Sequence, residues 1–205
     1  MADTKVSALT AVTTPAGTDE IPVNQAGTSK KLTLDQATQY SYAYVVLDTA
    51  YTLTSTTTAQ KIFNASTNGA VTLDTGWYRF NAVIGVTGLS ATTGNAQFQV
   101  LGGGTATLGG VLYHIVGVDG NSGTAATQTG SWSVASSSAA SGATAGTGTA
   151  LMFNILGTFE VTAQGTIIPS LALVTAAAGS VVVGSFFECK RLGNAGANVT
   201  VGSWS

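Results

Sequence analysis

The sequence predicts an all-β protein: a jelly-roll-like β-sandwich preceded by an extended N-terminal arm and one short helix. Alternation is the first sign. In WYRFNAVIGVT the apolar Tyr78, Phe80, Ala82, Ile84 and Val86 alternate with Trp77, Arg79 and Asn81. Only the two-residue period of a strand places those five on one face. ALMFNILGTFEVTA repeats the pattern, with Leu151, Phe153, Ile155, Phe159 and Val161 facing one way and Asn154, Thr158, Glu160 and Thr162 the other. The third sign is punctuation. Gly, Asn and Ser clusters separate these and other apolar runs at the spacing of a β-sandwich or barrel.

Taken in order, residues 1–32 carry no sustained period. Pro15 and Pro22 favour extended or turning backbone, and Gly17 and Gly27 supply flexible joints. The apolar patches VSAL and IPV are too small to build a core. This stretch reads as an arm that becomes ordered on a partner. In KKLTLDQATQY, Thr33 and Gln36 fit the S/T-x-x-E/Q capping box, which opens a short helix ending near Tyr40. The chain therefore divides into an attachment arm with its helix, 1–43, and a β-sandwich oligomerisation domain, 44–205. VLYHIVGV, NAQFQVL, GSWSVAS, TIIPSLALV and VVVGSFFECKRL supply further strands, for about eight in all, which suggests a jelly roll.

Two stretches need separate treatment. VASSSAASGATAGTGTA, residues 134–150, is low in complexity and would ordinarily form a floppy loop; here neighbouring subunits are expected to hold it. IIPSLALVTAAAGSVVVGSFF, residues 167–187, is uncharged and long enough to cross a bilayer as a helix. Pro169, the turn-like AAAGS and the many Val and Phe residues favour two strands joined by a turn instead.

Composition narrows the function classes. Charged residues make up 8% of the chain and Gly contributes 26 residues, against roughly 25% charged in an ordinary globular domain. The surface is then covered by Ser, Thr, Gly and Asn, or hidden by neighbouring subunits. Of the 16 charged residues, eight fall in the first 48 positions, and between Phe80 and Phe159 only Asp119 is ionised. A net charge of −2 offers no clustered cations for phosphate binding, which argues against a nucleic-acid partner.

Cys189 is the only cysteine. It excludes an internal disulfide and any multi-cysteine zinc site, and reads as a small buried hydrophobe. The opening MADTKVSALT has no apolar run, so no signal peptide is expected; the sequons at Asn64 and Asn198 then read as chance matches.

Catalytic side chains are scarce. His114, the sole histidine, lies on the strand face opposite Tyr113 and Ile115, where packing or hydrogen bonding suits it better than service as a base. GGGT at 102–105 lacks the Lys-Ser/Thr that completes a phosphate loop. Asp48, Asp74, Asp119, Glu160 and Glu188 are scattered singly, and no metal-ligand cluster is evident. No enzyme, cofactor or metal is expected. Trp77, Tyr78, Trp132 and Trp204 suit either a sugar-stacking platform or, the preferred reading, core and subunit interfaces.

The arm carries a recognisable phrase. Lys5, Ser7 and Leu9 open it, Gly17, Thr18, Asp19, Pro22, Val23, Gln25 and Gly27 continue it, and Lys30, Lys31 and Thr33 close it. This resembles the N-terminal attachment segment of many bacteriophage structural proteins, including tail fibres, head fibres and capsid decoration proteins. The closing strand VVVGSFFECKRL gives the remainder a looser similarity to trimeric virion jelly rolls of tumour-necrosis-factor-like shape. Together with a short sequence that shows no long fibre shaft and no obvious repeat, the resemblance implies a non-enzymatic homotrimeric decoration or cement protein, made in the host cytoplasm and carried on the particle surface.

Its docking partner would be the major capsid protein or another virion protein, with no nucleic acid and no membrane involved. Asp19, Glu20, Ile21, Pro22, Val23, Lys30 and Lys31 are the candidate docking residues, the charges setting register and orientation. The alternative is a receptor-binding short tail fibre or spike that grips host-surface glycan through VDGNSGTAATQTGSW and the Ser/Ala/Gly tract. A secreted carbohydrate hydrolase ranks behind both.

Overall fold

The computed structural model describes residues 19–33, 42–54, 57–89, 96–100, 104–119, 127–133, 140–144, 149–173 and 179–196. The chain divides into two compact units, Met1–Ser41 and Tyr42–Ser205. All regular structure among the described residues is β.

In the first unit, β1 (Glu20–Gln25) and β2 (Thr28–Thr33) form an antiparallel hairpin. Within the segment expected to be an extended arm, residues 20–33 are therefore paired with one another. Ala26 (φ 52°) and Gly27 (φ 81°) make the two-residue connection, and two positive φ values give it the twist that matches the flanking strands. Pro22 is compatible with the ladder. With Gln25 and Thr28 closing the turn as a hydrogen-bonded pair, alternation leaves Pro22 and Lys31 a non-hydrogen-bonded pair, where a missing N–H costs the ladder nothing. Thr33 ends β2; the rest of the expected helix falls outside the described residues.

The second unit begins with β3 (Tyr42–Val46), so this strand takes in two residues that the sequence reading assigns to the arm. β4 (Tyr51–Leu53), β5 (Gln60–Lys61) and β6 (Val71–Leu73) are short. β7 (Gly76–Thr87), β8 (Ala96–Val100), β9 (Thr107–Asp119) and β10 (Thr127–Ser133) follow. β11 (Ala140–Thr144), β12 (Ala150–Ala163), β13 (Gly165–Ile167), β14 (Ser170–Leu173), β15 (Gly179–Val181) and β16 (Phe186–Gly193) complete the chain. Sixteen strands thus lie among the described residues, where about eight were expected. The difference comes from short strands, from the hairpin, and from single apolar runs that split between sheets.

The eight-stranded sheet runs β10-β9-β12-β7. The second edge of β7 is shared between two partners: β16 pairs with it from Trp77 to Val83, and β15 at Val86 and Thr87. β16 then pairs with β3, and β15 with β4. The division falls at Gly85, whose carbonyl accepts the Val182 N–H (2.9 Å) and whose N–H donates to Ser185 Oγ (3.0 Å). A tight turn closed by Ser185 N–H on Val182 O lets the chain leave β15 and enter β16 there. A four-stranded sheet runs β11-β8-β14-β5, and β13 pairs with β6.

The apolar run 167–187 is not helical in its described part. In place of two strands joined by a turn, it contributes the end of β13, then β14 to the four-stranded sheet, and β15 and the first two residues of β16 to the large one. No helix among the described residues is long and apolar enough to cross a membrane. In the low-complexity tract, Ala140–Thr144 is a strand paired with β8 of the same chain.

The two larger sheets meet through their apolar faces. All ten apolar positions assigned inward on β7 and β12 are buried, as strand periodicity requires. Phe80 lies at the centre, its ring centroid 5.6 Å from Phe159, 5.8 Å from Phe187, 6.2 Å from Tyr113 and 6.4 Å from Phe98 across the sheet interface. Phe98 meets Tyr113 edge-on. Such ring pairs add about 0.5–1.5 kcal/mol each beyond the area they bury.

Candidate interaction surfaces

The hairpin sorts the candidate docking residues onto two faces. Directly opposed residues share a face, so Glu20, Pro22, Lys31 and Thr33 lie on one side and Ile21, Val23, Lys30 and Leu32 on the other. On the first face Lys31 Nζ reaches diagonally to Glu20 Oε1 at 2.5 Å. Both side chains are exposed, so the pair adds at most about 1 kcal/mol and acts mainly as a marker of register. The second face is an apolar stripe beside Lys30, with Ile21 exposed. Asp19 immediately precedes β1. The seven residues are thus gathered by one hairpin but split between a polar and an apolar side, which neither proline spacing nor charge counting indicates.

The outer face of the large sheet is the second surface. Register aligns three rows of backbone positions across six strands. One runs Trp132, Leu112, Thr158, Arg79, Lys190, Tyr42; the next Gly130, His114, Leu156, Asn81, Glu188, Tyr44; the third Gln128, Val116, Asn154, Val83, Phe186, Val46. Several large apolar side chains stand in the open here: Leu112 is 55% exposed, Leu156 52%, Tyr44 72% and Val46 56%. A shallow depression of about 600 Å³ opens among Arg79, Leu112, His114, Leu156 and Thr158, above the bare backbone of Gly157. Sequence reasoning placed Thr158 and Asn154 outward but did not weigh Leu112, Met152 or Leu156, the apolar residues that share their face.

The polar groups that could carry chemistry are dispersed, and three of the carboxylates are held in hydrogen bonds. His114 is exposed, on the side opposite buried Tyr113 and Ile115 as expected. Glu188 accepts from the Tyr42 phenol and from Asn81 Nδ2 (3.3 Å), and the first of these bonds pushes the phenol above its ordinary pKa. Glu160 accepts the Gly196 N–H (2.8 Å), and Asp74 accepts from Gln164 Nε2 (2.6 Å). Asp48 lies just beyond β3. Among the described residues no group of three His, Cys, Asp or Glu is placed to hold a metal ion. Tyr78 is a core residue, stacked 5.4 Å from Phe159, and Trp77 is half-buried on the outer face beside Glu160 and Gly110. The Asp119 and Trp132 side chains, Trp204, Asn198 and most of the suspected recognition loops lie outside the described residues.

No protein-family model matches this chain, and no curated protein sequence matches it. The functional reading accordingly rests on the residues and their geometry, together with the resemblance of the arm.

Beneath β3 lies one further concavity, an apolar cleft of about 160 Å³ among Ala43, Val45, Phe63, Val71, Pro169 and Phe187. Its lining offers no titratable side chain beyond the neighbouring Tyr44, so it can take an apolar group but provides no reactive one.

Proposed function

We propose that this chain is a non-enzymatic structural protein of a bacteriophage virion, a homotrimeric capsid decoration or cement protein on the particle surface. In this reading the arm docks on the major capsid protein or another virion protein, and the β domain, taken as jelly-roll-like, associates with its sisters and stabilises the head. The observation that carries the reading is the division of the chain. The attachment phrase falls in a compact unit of its own, Met1–Ser41, and half of the chain's charged residues fall within its first 48 positions. The hairpin's apolar stripe supplies a surface to bury, and the charged residues around it supply orientation.

Deleting residues 2–33, hairpin included, tests the assignment. The truncated chain is expected to keep its β circular-dichroism signature and its association state while losing attachment to purified particles. Attachment at the wild-type level would overturn the docking role. Imaging of decorated particles is expected to place many copies over the head. A few copies at the tail, with binding of the purified chain to host cells, would favour the receptor-binding alternative.

A further inference from the structure

We infer that the outer face of the large sheet, centred on Leu112 and Leu156, is the surface on which a second copy of this chain packs. The inference deepens the homotrimer reading by naming the face that makes the contact. Six strands spaced about 4.8 Å apart make the face about 29 Å wide, and the seven residues from Met152 to Thr158 make it about 24 Å long. The footprint of about 700 Å² approaches the roughly 800 Å² that each partner contributes to a stable interface.

Its composition suits the same role. The centre is apolar and open, with Leu112 and Leu156 beside the depression above Gly157, the setting in which contact energy concentrates. Charges sit toward one side and balance: Arg79 and Lys190 against Glu160 and Glu188, with the two cations paired across adjacent strands. A strongly charged partner gains nothing from such a face, whereas a different surface of a second copy, from a chain whose net charge is only −2, meets it without net repulsion, as the head-to-tail contacts of a closed trimer require. Met152, Tyr44 and Val46 extend the apolar area toward the rim.

Sedimentation equilibrium of the full chain provides the test. The wild type is expected to sediment as a trimer of the 20.5 kDa chain. Leu156→Lys and Leu112→Asp, both at exposed positions, are expected to weaken association by about thirtyfold or more while leaving the thermal melt of the subunit in place. Thr72→Lys, exposed on β6 in the separate two-stranded sheet with β13, is expected to keep the wild-type mass.

Met152 gives a readout that needs no variant. Its oxidation by peroxide is expected to slow severalfold at concentrations where the oligomer forms. A trimer that persists in both face variants, with Met152 oxidising at one rate throughout, would overturn the choice of face and leave the trimer reading intact. A wild-type chain that stays monomeric at high concentration would overturn both, and particle attachment by the arm would still be decided by the deletion.

Discussion

Gly157 of β12 lies so close to Phe80 of β7 that a Cβ at position 157 would sit 2.6 Å from the ring's Cε1. The same atom would come within 2.5 Å of the Leu112 carbonyl oxygen and of Tyr113 Cβ. Gly157 interrupts an otherwise regular apolar alternation because the central ring of the core occupies the space its side chain would need.

Gly157→Ala is therefore expected to lower stability by about 1–3 kcal/mol, the usual cost of forcing extra volume into a packed core. Urea denaturation reads this as a lower midpoint. Stability within about 0.5 kcal/mol of the wild type, the range of neutral surface changes, would show that β12 and β7 can separate at this point without penalty.

The hairpin turn carries a correctable strain. Ala26 adopts a left-handed conformation (φ 52°), which costs an L-residue with a side chain roughly 1–2 kcal/mol. Ala26→Asn creates the Asn-Gly pair that this turn geometry prefers. Amide hydrogen exchange at Val23 and Lys30 is expected to slow about fivefold or more, and Ala26→Val is expected to accelerate it. The opposite order would mean that β1 and β2 pair in another register.

Burial pushes the Cys189 thiol up to about 12, as desolvation penalises the thiolate. The folded chain is therefore expected to resist thiol reagents at pH 8 and to react at the ordinary rate once unfolded in denaturant. The sign of the pH effect follows. Because the folded pKa is raised, the thiol's contribution to stability is fully present below the unfolded value near 9 and is lost as pH rises toward 12. Comparing unfolding midpoints of the wild type and Cys189→Ala across pH 8–11 isolates this slope. Rapid labelling of the native chain at pH 8 would contradict the burial.

Much of the fold was legible because alternation is a local property of the chain. The sides of β7 and β12, the outward position of His114, and the buried Cys189 all follow from residue type and a two-residue period. The hairpin was not legible. Ala-Gly is a weaker turn signal than Asn-Gly, and Pro22 reads as a strand breaker until its ladder position is known. The three residues of β4 and the two of β5 are too few to show a period. Strand β11 has no apolar pattern at all; its pairing with β8 defines it.

The candidate docking residues were nameable from a linear phrase, but the outer face was not, because a row across six strands joins residues far apart in sequence. Asn81 and Glu188 meet across 107 positions, and no local rule specifies which strand lies beside which. Composition and periodicity dictated the β class, the buried side of each long strand and the crowding of charge at the leading end. Register and strand order, set by which apolar faces could be buried together, decided that Leu112 and Leu156 would stand side by side in the open.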